Sequence, residues 1–354
     1  MKLTIIKIGS NVIVDEKGNL RNVLIDQILT EVNKRIYLGE KIVIVTSGAV
    51  ALGKTFFDKK SVDKRLAAGM GQMRLMSAYY ESAMRIGLPV LELLLSRPHL
   101  VQRQHFLKLQ DTIHSALENK ILPIINENDA MVYGSDWAFL DNDTLASSLA
   151  VALGADKLLI VSHIDGLYTA DPDKDKNAKL VASVADVNSE LMKYCSGETL
   201  DSVRRGGMVS KLKAARLCSA VGIEMQIVSG LKAGLIAKAL EGENVGTTFL
   251  SRSLKKTINN RERWILAART SAASIEVDEG ALVALKKGKS LLAVGIKKIY
   301  GDFEKGELVE IIDKEKIGMA IGLVDVSSST LVQANFKLQK GVQVMHADNI
   351  MVFA

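Results

Sequence analysis

Lys7 lies inside the apolar run LTIIKI and is followed at once by Gly9 and Ser10. A lysine among aliphatic residues is costly unless it is paired or meets an anion, and the small residues behind it offer backbone amides to a phosphate. A second lysine, Lys211, sits about one turn into GGMVSKLKAARLCSAVG, whose Gly206 and Gly207 open a predicted helix reaching Gly222. Helix N-termini carry unsatisfied amides and a positive dipole end, so Gly206, Gly207, Met208, Ser210 and Lys211 together suit a phosphate group. Between the two lysines, DNDTLASSL places Asp141, Asn142 and Asp143 before a predicted buried helix, and NENDA brings Asn126 and Asp129 shortly upstream. One such residue suffices to cap the helix. The remainder suit holding a substrate ammonium, orienting the lysines, or helping to place Mg²⁺ beside nucleotide phosphates. The plainer readings are an edge-strand lysine reaching water, a basic surface helix with Lys211 and Lys213 solvated, and an ordinary cap.

These residues need a scaffold that brings them to one place. Strand-like runs recur at Leu3–Ile8, Ile42–Val45, Leu122–Ile125, Leu158–Val161 and Ile223–Val228, and helical periodicity fills the gaps. Ile25, Ile28, Leu29, Val32 and Ile36 share one helix face, with Gly39 as a stop, and Leu145 to Leu153 is apolar nearly all round. This alternation predicts an α/β fold, a doubly wound, mainly parallel sheet between helices. The strands end in KIGSN, TSGA, NENDA, SHIDG and SG, which brings Ser47, Ser162 and His163 to the same sheet edge as Lys7. In such sheets the carboxyl edge opens into the ligand crevice. Near residue 255 the texture changes: SLKKTINNRER is polar, and SIEVDEG, SLLAVGI and GELVEII read as short antiparallel strands. The expected domains are residues 1–254 and a β-rich unit of residues 259–354.

Composition narrows the function classes. With 354 residues, 48% hydrophobic and 24% charged, the chain is globular rather than disordered. Its formal charge of +6 is unpolarised: residues 255–354 hold 15 Lys+Arg against 12 Asp+Glu, leaving 31 against 28 before them, so nothing points to a polyanion-binding arm. Cys195 and Cys218 have no metal or disulfide spacing, which suits a reducing compartment and a cytoplasmic location. Lys7 interrupts the apolar N-terminus, no signal peptide is legible, and no run approaches the ~20 apolar residues of a membrane span. There is no G-x-S-x-G elbow, no His-rich metal spacing and no H-R-D signature, and only 5 histidines. That scarcity fits a carboxylate nucleophile, ionised near neutrality with a pKa of ~4.3 and in no need of a general base. Phosphoryl transfer to it depends on positioning and charge neutralisation.

In order along the chain, KIGSNV, VIVTSGAVALG, LPIINENDA, DNDTLA, DGLYTADP, GGMVSK and GTTF resemble the amino acid kinase family, and the tail, with VDEGA and SLLAVGI, resembles a PUA domain, a small β-barrel. A kinase core followed by that domain is the arrangement of the family's glutamate-phosphorylating members. The resemblance implies the amino acid kinase fold followed by a PUA-like barrel. It implies transfer of the ATP γ-phosphoryl, with Mg²⁺, to the γ-carboxylate of L-glutamate, giving γ-glutamyl phosphate, the first step of proline biosynthesis. On matching positions, Lys7 and Lys211 would stabilise the transferring phosphoryl and Asp143 would orient them. Ser47, Asp129 and Asn142 would bind glutamate, with Asn126 and Asp141 in the same two loops. Gly9, Ser10, Ser162, His163 and the segment from Gly206 to Lys211 would serve the nucleotide. No residue set is implied as a metal site. Proline as feedback inhibitor and a homo-oligomer are usual in the family, and the PUA-like domain raises RNA binding. The chain departs from the family at His163, where Asp is usual, at Arg204 and Arg205, where Gly-Thr is usual, and at Lys108, where Asn is common; these bear on nucleotide affinity more than on glutamate recognition. Two alternatives compete. One is a sister amino acid kinase with another carboxylate or phosphate acceptor, which would lack this tail together with NENDA and DNDTLA. The other is an RNA-binding or regulatory protein on a degenerate kinase core, against which stand the unpolarised tail and the intact Lys7, Asp143 and Lys211.

Overall fold

The computed structural model describes residues 2–57, 62–131, 139, 141–172, 175–187, 191, 207–251, 258–268, 273–333 and 342–352. The chain divides into two compact units, Met1–Leu254 and Lys255–Ala354.

Strands β1 (Leu3–Ile8), β2 (Lys41–Val45), β3 (Val90–Leu95), β4 (Leu122–Glu127), β5 (Lys157–Ser162), β6 (Ser183–Val184), β7 (Glu224–Ser229) and β8 (Thr247–Phe249) form one sheet in the order β3-β4-β2-β1-β5-β7-β8-β6. Helices α1 (Ser10–Ile13), α2 (Asn22–Tyr37), α3 (Ala49–Lys54), α4 (Lys64–Arg85), α5 (Pro98–Val101), α6 (Arg103–Glu118), α7 (Asn142–Leu153), α8 (Met208–Ala220) and α9 (Leu235–Leu240) lie between the strands in the chain. The five strands legible in the sequence are the contiguous parallel run β4-β2-β1-β5-β7. β3 was not among them, because its run VLELLL is leucine-rich and interrupted by Glu92, so it lacks the β-branched character that marks most of the others as strands. β6 and β8 are too short and too hydroxyl-rich to stand out. β8 runs antiparallel to β7 and parallel to β6, which makes the sheet mainly rather than wholly parallel.

β1 is central, with Lys7 in register between Val45 and Ile160, so it is not an edge-strand lysine. Strands covered on both faces need apolar residues at every position, which is why LTIIKI does not alternate. Ile6, Ile8, Ile42, Ile44, Leu159 and Val161 share one core with the apolar stripe of α2 and with Leu75 and Tyr79 of α4. Successive strand residues point to opposite faces, so Ile5, Val43 and Leu158 face the other way, where α7 packs across β1, β2, β4 and β5. That placement explains why α7 is buried nearly all round.

In the second unit, α10 (Asn260–Ala267) starts with a capping box between Asn259 and Glu262. It is followed by β9 (Ser274–Val277), α11 (Glu279–Lys286), β10 (Leu291–Leu292), β11 (Ile296–Tyr300), β12 (Leu308–Ile312), β13 (Gly318–Leu323), α12 (Ser328–Gln333), β14 (Gln343–Met345) and β15 (Ile350–Val352). The strands form a five-stranded sheet, β11-β9-β12-β13-β15, and a β10-β14 pair around their own core, including Ile275, Phe303, Val309, Ile311 and Met345. The expectation of antiparallel strands needs one correction: β9 and β12 pair in parallel, because α11 and β11 intervene between them in the chain.

Candidate active site

Lys7 near the end of β1 and Lys211 in the first turn of α8 converge on Asp143 in the first turn of α7. Lys7 Nζ lies 2.7 Å from Asp143 Oδ1, and Lys211 Nζ donates to Asp143 Oδ2 at 3.1 Å. Asp143 is fully buried and the lysines are 8% and 5% exposed, whereas Lys213 on the same helix is exposed. Burial alone would raise the Asp143 pKa, but the two ammonium groups outweigh it and hold the carboxyl below its usual range. The solvated-lysine reading therefore fails for both lysines. One carboxylate fixes two ammonium groups.

The first turn of α1 opens beside this cluster. A Cβ added at Gly9 would stand 3.9 Å from Lys7 Nζ and 3.3 Å from Val161 O. The Gly9 amide itself donates to Val161 O at 2.9 Å, so the expectation that it was free for a phosphate is corrected; Ser10 and the amides that follow begin α1. On the α8 side Gly207 is the N-cap and Met208 the first helical residue. Ser162 ends β5, buried, with its carbonyl accepting the Gly230 amide at 2.8 Å. His163 is exposed just beyond. Partial burial, then the charges of Lys211 and Lys7, push its pKa below the ordinary 6.5, which leaves the imidazole neutral at pH 7.

β2 ends in Thr46, Ser47 and Gly48. Gly48 has φ +105°, a conformation that favours glycine, and from it the chain turns directly into α3. Ser47 Oγ donates to Ile8 O at 2.7 Å, which ties this turn to β1. Asp141 caps α7, accepting from Thr144 N at 2.8 Å, and its other oxygen accepts from Ser210 Oγ. Both residues are thus engaged in joining α7 to α8. Asn142 Nδ2 donates to Thr46 O at 2.7 Å and to Asn126 Oδ1 at 3.0 Å, which joins the NENDA and DNDTLA segments to the end of β2.

Beyond this network is a cavity of about 230 Å³ lined by Ala49, Gln72, Met76, Glu92, Glu127 and Asp129, among others. Burial raises the Asp129 pKa, partly opposed by Lys64. Burial, with Asp129 next in size, pushes Glu127 up to about 8, and Glu127 Oε1 accepts from Phe139 N at 2.6 Å. Glu127, Gln72 and Glu92 were not singled out in the sequence. The position of Glu127 inside NENDA was an available signal, whereas Gln72 and Glu92 sit at unremarkable helix and strand positions. Gly206, Arg204, Arg205 and Cys195 lie outside the described residues. Lys108 is exposed on α6.

These residues suit a nucleoside triphosphate: two fixed ammonium groups and a glycine-flanked helix start on either side. They do not form a protein cage for a metal. No group of three or more potential ligands occurs among the described residues, and both Asp143 oxygens face lysines. A Mg²⁺ ion would fit here as a companion of the nucleotide phosphates, with water completing its shell.

The profile described as the Amino acid kinase family matches residues 2–229, and that of the PUA domain matches residues 273–347. A relative from Proteus mirabilis (strain HI4320), named Glutamate 5-kinase, is 37% identical over 92% of this chain and 89% of its own. One of the same name from Pelobacter propionicus is 36% identical over 99% of this chain and 98% of its own, and one from Pelagibacter ubique is 35% identical over 93% and 90%. With both profiles matched in order and such relatives aligned almost end to end, the chain belongs to the glutamate 5-kinase branch of the amino acid kinase family.

Proposed function

We propose that this chain transfers the γ-phosphoryl group of ATP to the γ-carboxylate of L-glutamate, releasing ADP and γ-glutamyl phosphate. The observation that carries the reading is the pair of buried lysines held apart by Asp143 at the carboxyl edge of the sheet. A carboxylate attacking a phosphoryl group brings two anions together, and the transition state spreads charge over the equatorial oxygens. Two preorganised ammonium groups meet that charge without reorganising at the moment of transfer. Asp143 keeps both in place; by itself it neutralises only one of them. Glutamate is held by Asn142 and Asp129, acceptors suited to its α-ammonium, with Ser47 at the turn between them and Lys7. Gly9, Ser10, Ser162, His163 and the start of α8 hold the nucleotide, and neutral His163 adds no charge of its own there. Mg²⁺ bound to the phosphates supplies further charge neutralisation.

Proline as a feedback inhibitor, a homo-oligomeric assembly and a cytoplasmic location follow from the same family reading. No helix among the described residues is long and apolar enough to cross a membrane. Incubation with ATP, Mg²⁺, hydroxylamine and either glutamate, N-acetylglutamate or aspartate tests the proposal, because an acyl phosphate yields a coloured hydroxamate. Product is expected with glutamate above the other acceptors. Turnover of another acceptor with none of glutamate would overturn the assignment.

A further inference from the structure

Asn142 is the last member of a directed chain of side chains that starts at one edge of the sheet. Glu92 on β3, an edge strand, accepts from Gln72 Nε2 at 2.6 Å. Gln72 on α4 accepts through Oε1 from Asn126 Nδ2 at 2.8 Å. Asn126 Oδ1 in turn accepts from Asn142 Nδ2 at 3.0 Å and from Glu127 N at 2.9 Å. Asn142 gives its other amide hydrogen to Thr46 O at 2.7 Å.

Each amide could in principle be turned end for end, but its neighbours forbid it. A carboxylate has no proton to give, so Glu92 demands the NH₂ end of Gln72. Gln72 then presents a carbonyl to the NH₂ group of Asn126, a residue only 2% exposed, whose donor needs an acceptor within the protein. Were Gln72 reversed, its carbonyl would face the Glu92 carboxylate and its NH₂ would face the NH₂ of Asn126. With Asn126 so oriented, both hydrogens of Asn142 are spent, and the amide atom left for the crevice is an acceptor, Oδ1. An acceptor there recognises a protonated amine.

We infer that Gln72, locked by Glu92, is a positioning residue for substrate: the Glu92–Gln72–Asn126 chain sets the amide polarity of Asn142 and thereby the recognition of the substrate's ammonium group. This rests on the glutamate reading above, and two separate readouts keep the two apart. In steady-state kinetics, Gln72→Met preserves volume but removes the acceptor for Asn126; the glutamate KM should rise about tenfold with kcat within about twofold and the ATP KM unchanged. Glu92 is exposed, so its replacement leaves the core intact. Glu92→Leu should raise the glutamate KM about threefold, and Glu92→Gln, which can still accept, should restore it. In the full chain labelled with ¹⁵N-asparagine, the Asn126 side-chain amide should exchange slowly in the wild type and in Glu92→Gln, and faster in Glu92→Leu and Gln72→Met. Unchanged exchange in the last two variants overturns the inference, as does a parallel fall in kcat, both KM terms and melting temperature, which would mark Gln72 as a plain fold contact. Failure of the wild type to phosphorylate glutamate refutes the functional reading, and amide exchange still decides the chain of bonds.

Discussion

Asp143 is buried yet ionised, a combination that survives only because two cations stand within 3.1 Å of it. On the proposed reading their charges do more than stabilise the acid, since they would also meet the charge that develops in the transition state. Lys211→Ala should therefore lower kcat by about 10²–10³ while the glutamate KM changes by less than about threefold, measured in the hydroxamate assay. Unaltered kcat would reduce Lys211 to a structural partner of Asp143. Glu127 behaves in the opposite sense. Its pKa is raised from 4.5 to about 8, so over that interval the folded chain keeps a proton that the unfolded chain has lost. Its contribution to stability is fully present below the unfolded value and declines as pH climbs toward the folded one. Glu127→Gln can still accept from Phe139 N and cannot ionise. Its urea midpoint should match the wild type near pH 4.5 and exceed it near pH 8. Equal midpoints at both pH values would mean that Glu127 ionises freely in the folded chain.

The turn holding Ser47 is positioned by α3, and α3 is positioned by its crossing with α4. There the backbones nearly touch: a Cβ at Gly71 would lie 1.8 Å from Ala49 O, and one at Gly53 would lie 1.7 Å from Ala67 O. Neither clash can be relieved by a rotamer, because the opposing atoms are backbone. Gly71→Ala must separate the two helices, at a cost of about 3 kcal/mol or more. Because Gln72 is the next residue and α3 follows Gly48 directly, the glutamate KM should rise as well. Urea unfolding combined with glutamate titration checks both effects. An alanine variant with wild-type stability would mean that the crossing is looser than these distances imply.

Each unit of the molecule has its own apolar core, one built on the eight-stranded sheet and the other on the five-stranded sheet and its short partner pair. Every residue assigned here to substrate or nucleotide precedes Leu254. A fragment ending at Leu254 should fold, keep its far-ultraviolet circular dichroism, and turn over ATP with glutamate within about tenfold of the full chain, since the first unit has its own sheet and core and carries all of those residues. A soluble, folded fragment without any turnover would show that the second unit helps to build the site.

Much of this was legible before folding. Five of the parallel strands are continuous β-branched or leucine-rich runs, and the residues that end them are small or polar; both are local features that need no knowledge of neighbours. The buried lysine of β1 was conspicuous because its surroundings are aliphatic, and Asp143 because three polar residues exceed what a cap requires. Residue types and spacing alone left open which of the clustered acids serves which purpose, and only the family resemblance gave Asp143 the lysines. Asp141 proved to be the cap and the tie to Ser210, and Asp143 the holder of the lysines, because only the packing of α7 against β1 and α8 decides which carboxylate turns inward. The amide of Gly9 is spent on a neighbouring strand, and the glutamine and glutamate behind Asn126 come from a helix and a strand with no motif of their own. Hydrogen bonds between residues far apart in the chain depend on which faces the sheet brings together, and local spacing carries no record of that.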